Sequence, residues 1–172
     1  MTRVKTPLLS LCFVFAFLTD GFGGEVVTNL DLGKYAGLWY EIARLPARYE
    51  DGLVGVTASY TFSSEGKLSF KNKGFKQKLS GPVSEVSGSL KMPEPSTPGK
   101  LKLYVFNIFP ASYWVHELDA DYRWALVGGP SRKSLWVFSR TPTLEASIYE
   151  RLVARAKELG YDTAQLIRVE QK

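Results

Sequence analysis

Between residues 38 and 140 the chain is written in short segments of alternating apolar and polar residues, each closed by a turn signal, which argues for an all-β meander. Strands are expected near 38–45, 53–63, 67–74, 83–92, 100–107, 112–119, 122–129 and 134–140. Ser63-Ser64-Glu65-Gly66 reads as a tight hairpin, and Met92 to Gly99 holds three prolines, a connection that no central strand tolerates. Eight such strands can close on themselves and so remove their exposed edges, although periodicity alone leaves a two-sheet sandwich open. The period then changes. From Thr143 to Gly160, Leu144, Ile148, Leu152, Ala156 and Leu159 recur at three- and four-residue steps, as on an amphipathic helix with Thr143 as N-cap and Gly160 as stop. A last short strand is expected near Ala164 to Val169.

The first 23 residues read as a signal peptide and 24–172 as one domain. Arg3 and Lys5 precede an apolar run from Leu8 to Leu18, and Gly21-Phe22-Gly23 offers small residues for cleavage. That run is too short to span a bilayer. Cys12, the only cysteine, lies inside it behind the bulky Leu11, so the expectation is export as a soluble periplasmic or secreted protein cleaved near Gly24. The alternative is an outer-membrane lipoprotein anchored through Cys12. Net charge is +5, and loss of Arg3, Lys5 and Asp20 with the leader takes away one unit, too diffuse an excess to argue for nucleic acid.

Three segments carry more than this periodicity. Gly37-Leu38-Trp39-Tyr40-Glu41 stands near the start, Leu118-Asp119-Ala120-Asp121-Tyr122-Arg123-Trp124 later, and Leu135-Trp136-Val137-Phe138-Ser139-Arg140 near the end. In order and spacing they resemble the signature segments of the lipocalin family, over roughly residues 30–170. The resemblance implies an all-β fold: an eight-stranded up-and-down antiparallel lipocalin barrel, with one C-terminal α-helix packed outside and a short final strand. It also implies that Trp39 plugs the closed end with Arg140 across its indole, a favourable stack. Gly37, Trp39, Asp121 and Arg140 are then structural residues.

With the phase anchored on Trp39 and Arg140, strand alternation and the family pattern point one set of side chains inward. Tyr60, Phe70, Val86, Leu103, Val105, Tyr113, Val115, Val127, Trp136 and Phe138 are the candidate ligand-binding residues. Glu41 and Glu117 share that parity, and a buried carboxylate needs a partner. The loops 45–53, 74–82, 107–112 and 129–134 should ring the mouth, where Arg48, Lys76, Lys78, Arg132 and Lys133 are candidates for meeting a headgroup, with Ile108, Phe109 and Pro110 beside them. Basic and apolar residues together suit peripheral contact with a membrane.

His116 is the only histidine and has outward parity, so neither a zinc site nor haem ligation is expected, and no cofactor pattern appears. Asp119 and Asp121 fall at a turn. The expectation is a carrier, not an enzyme, that holds a fatty acid or lysophospholipid for membrane maintenance. A lipocalin-fold enzyme would need Glu41 or Glu117 inside the barrel. A pigment carrier is a third reading.

Overall fold

The computed structural model describes residues 25–171. The leader and Cys12 lie outside them. A one-turn helix α1 (Leu32–Tyr35) precedes eight consecutive strands: β1 (Gly37–Arg44), β2 (Leu53–Phe62), β3 (Leu68–Lys76), β4 (Val83–Lys91), β5 (Lys100–Val105), β6 (Phe109–Leu118), β7 (Trp124–Gly128) and β8 (Leu135–Ser139). Helix α2 (Ala146–Glu158) and the short strand β9 (Ile167–Arg168) follow. Each strand pairs antiparallel with the next, and β8 pairs with β1, which also pairs with β2, so the ring is closed. This is the barrel that the sequence predicts.

The two faces of the wall serve different cores. Inside, Trp39, Ala58, Tyr60, Leu68, Phe70, Leu90, Leu101, Tyr113, Val115, Ala125, Val127 and Phe138 form one buried cluster. Outside, Ile42, Ala43, Trp124, Leu126, Leu135 and Val137 pack against Leu152 and Ala156 of α2. The helix thus covers an outer patch where successive strands carry apolar residues. It is shorter than expected: it begins at Ala146, with Glu145 at the N-cap position and no side-chain cap. Thr143 instead spends its carbonyl on the hydroxyls of Thr141 and Ser139. Gly160 does stop the helix, at φ +85°.

Two bulges break strict alternation. In β1 the register with β8 shifts between Glu41 and Ala43, so Ala43 faces the helix and Arg44 turns inward beside Trp136. In β6 it shifts between Val115 and Glu117. Glu117 therefore lies on the outer wall near Arg151 and Arg155 of α2, not inside as the parity from Val115 suggests.

One edge of β1 is shared. Its lower half pairs with β2 from Gly37 to Tyr40, and its upper half pairs with β9 at Ala43 and Arg44. The tail bridges this seam: Gly55 N–H donates to the Glu170 carbonyl, Val169 N–H to that of Ile42, and the Gln171 amide to the carbonyls of Glu41 and Val56.

Candidate functional site

The closed end is built around Trp39, which is fully buried and donates its Nε1–H to the Tyr35 carbonyl at 2.8 Å. The Arg140 guanidinium carbon lies 3.8 Å from the indole centroid. Its nitrogens donate to the carbonyls of Leu38, Lys34, Tyr35 and Ala36, and its Nε to that of Tyr122. Arg140 therefore also satisfies the otherwise open carbonyl end of α1. Gly37 lies directly beneath it: φ is +100°, and an added Cβ would sit 3.2 Å from Arg140 Nη1. At the adjoining turn the organising carboxylate is Asp119. It accepts from the backbone of Asp121 and Arg123 and, through both oxygens, from the Arg123 side chain, which holds its carboxyl below the usual range. Asp121 is exposed and contributes its backbone N–H, so the structural role expected of it belongs to Asp119.

Above this plug the ten candidate lining residues divide by burial. Tyr60, Phe70, Tyr113, Val115, Val127 and Phe138 are buried against one another and form a packed floor. Tyr113 Oη lies 2.6 Å from Tyr35 Oη and 2.8 Å from Tyr60 Oη, so the floor's hydroxyls satisfy one another. Burial raises all three phenols, which stay protonated at neutral pH. Leu103, Val105 and Trp136 are only partly buried against the same cluster, and Val86 is also partly exposed. These four line the upper barrel, toward the mouth.

The upper barrel also holds a charged cluster. Arg44 Nη1 donates to Glu41 Oε1 at 2.8 Å, and Nη2 donates to the carbonyls of Glu50 at 2.7 Å and Leu53 at 3.2 Å. Trp136 Nε1 donates to Glu50 Oε2 at 3.2 Å. Glu41, Arg44 and Glu50 are all nearly inaccessible to solvent. Two carboxylates share one arginine, so burial, followed by the neighbouring Glu50, pushes the Glu41 carboxyl up to about 8. Burial raises Glu50 as well. The cluster pins the first mouth loop, residues 45–52, to the wall. Arg44 also lines a cleft of about 760 Å³ between that loop, Leu53, Gln77 and the β9 segment with Arg168 and Glu170. Sequence parity gives Glu41 but misses Arg44 and Glu50: a bulge moves the first inward, and a 3₁₀ turn at Arg48–Glu50 moves the second.

At the mouth, Arg48, Lys76, Lys78 and Lys133 are exposed on the loops expected to ring it. Arg132 does not join them. Its guanidinium folds down the outer wall onto Glu25, the Leu159 and Gly129 carbonyls and the Trp114 and Tyr161 rings. His116 is outside the barrel and buried, its Nδ1 at the Glu25 carbonyl and its Nε2 2.7 Å from Tyr161 Oη, and burial lowers its pKa. Both ring nitrogens are in use.

Residues 30–171 match the lipocalin-like domain family. The chain is a lipocalin. It is 41% identical to the outer membrane lipoprotein Blc of Vibrio cholerae, over 98% of this chain and 100% of that one. Blc of Escherichia coli K12 is 40% identical over 87% of this chain and 84% of its own. Rat apolipoprotein D is 29% identical over 85% and 79%. Insecticyanin of the tobacco hornworm Manduca sexta shares the fold, with a TM-score of 0.67, 21% identity and coverage of 85% and 83%. This lipocalin therefore has the architecture of a family whose barrels take small hydrophobic ligands.

Proposed function

We propose that this lipocalin is an exported carrier that binds a single-chain lipid, a fatty acid or lysophospholipid, and serves membrane maintenance. The observation that carries this is the upper barrel: Val86, Leu103, Val105 and Trp136 stay partly open above an apolar floor and below a basic rim. A buried acyl chain contributes about 0.8 kcal/mol per methylene, so a chain of roughly 16 carbons has on the order of 10 kcal/mol to set against several kcal/mol of ordering. Binding without turnover is favoured by the carboxylates. Glu41 is held by Arg44, and Glu117 is outside the barrel. Relatives named outer membrane lipoproteins support export and give weight to the Cys12-anchored form. Intact-mass analysis decides between a soluble chain starting near Gly24 and a diacylated one starting at Cys12.

The decisive experiment is titration with monomeric lysophospholipid or fatty acid, read by tryptophan fluorescence and native mass spectrometry. Saturable one-to-one binding is expected, reported chiefly by Trp136, and Trp136→Ala should weaken it by roughly 1–3 kcal/mol, the scale of one buried large side chain. Absence of saturable binding to any such lipid overturns the carrier reading.

A further inference from the structure

The hairpin joining β5 to β6 ends in large apolar side chains that no other part of the barrel covers. Phe106 is 61% exposed, Ile108 69% and Phe109 63%. They are consecutive but for Asn107, so they form a patch and not scattered surface apolars. The backbone beneath them is unusual. Phe106 and Asn107 both have positive φ, 50° and 60°, and the turn is closed by Ile108 N–H donating to the Val105 carbonyl at 3.0 Å. Such turns favour Asn and Gly, and Asn107 conforms. A bulky phenylalanine in the left-handed region is disfavoured, because its Cβ crowds the following carbonyl. Folding alone gives no reason for a phenylalanine there.

Position and charge say what the patch meets. Phe109 pairs with the inward-facing Val105 and so stands at the lip of the cavity, while Phe106 and Ile108 form the tip beyond it. The other loops at this end expose Arg48, Lys76, Lys78 and Lys133 against Asp51, and among the described residues none of these four cations is in an ion pair. An apolar spike within a basic rim is complementary to an anionic lipid surface, with phosphates for the cations and acyl chains for the aromatic side chains. We propose that the β5–β6 hairpin inserts into an anionic leaflet and turns the barrel mouth toward it. Ligand then passes between leaflet and cavity without crossing bulk water.

This extends the carrier reading, and vesicle binding is measured separately from monomeric lipid binding, so either can fail alone. Protein carrying Cys12→Ser, to exclude any acyl anchor, is floated with vesicles of phosphatidylcholine alone and of equimolar phosphatidylcholine and phosphatidylglycerol. The mixed vesicles should bind it and the neutral ones bind it more weakly. Combined Phe106→Asn, Ile108→Ser and Phe109→Ser should lower affinity roughly tenfold per side chain. Lys76→Gln and Lys78→Gln should each cost roughly fivefold on the mixed vesicles and nothing on the neutral ones. Phe106→Asn alone should unfold at the parent temperature or above it, since asparagine accepts the left-handed backbone, so reduced flotation cannot be ascribed to misfolding. Undiminished flotation of the triple variant overturns the proposal. So does a parent that ignores vesicles but sediments as a dimer which the same substitutions dissociate, because the patch then meets a second copy of the chain.

Discussion

Arg140 does three things that are usually divided among several residues: it covers the indole of Trp39, ends α1 and ties the start of β1 to the end of β8. Trp39→Ala should lower stability by about 3–5 kcal/mol in urea denaturation, while the folded remnant keeps its lipid preference. Arg140→Ala should also destabilise, and Arg140→Lys should recover little, because an ammonium cannot spread donors over five carbonyls and lie flat on the ring. An unchanged midpoint in either alanine variant contradicts this. These two residues are legible in the sequence because both lie where strand phase is undisturbed. Arg44 is not legible, because one extra residue in β1 reverses its direction. Its cluster has a pH signature. The folded-state pKa of Glu41 is raised from 4.5 to about 8, so between those values the folded protein keeps a proton that the unfolded chain releases. Its contribution to stability therefore falls as pH rises through that window, and Glu41→Gln should flatten the fall. Parallel stability–pH curves for parent and variant would refute the assignment.

Among the elements, α2 was visible through its period and β1 to β8 through alternation and turn signals, with boundaries displaced by a few residues. α1 and the 3₁₀ turn at Arg48–Glu50 were not, since one turn of helix leaves no periodic trace and is fixed by its tertiary partners. Glu117 illustrates the same limit: its environment depends on a bulge between β6 and β7, which turns it toward the arginines of α2. Division of the wall into two cores makes a prediction about α2. Leu152 is fully buried against the outer core, with no path to the cavity. Leu152→Ala should cost about 2–5 kcal/mol of stability and leave lipid affinity as it is. A matched loss of affinity would mean that the helix shapes the interior.

Taken whole, the barrel has a plug at Trp39, a packed floor of tyrosines and apolar side chains, and partly exposed apolar side chains toward the mouth. The depth of a ligand follows from that floor, which strand parity cannot show because parity gives direction and not height. The upper wall also depends on the tail, since β9, Glu170 and Gln171 fill the seam between β1 and β2. Removing residues 167–172 should lower stability and speed amide hydrogen exchange at 41–44 and 53–56, with little change around Trp39. Uniform exchange across the ring would show that the tail is dispensable. The seam also bears on the order of folding. The contact of Gln171 with Glu41 spans 130 residues, almost the length of the folded domain. Contacts of such long range form slowly, after the hairpins whose strands are adjacent in the chain. The hairpins of the ring, whose partners are near neighbours in the chain, are therefore expected to form first and the seam last.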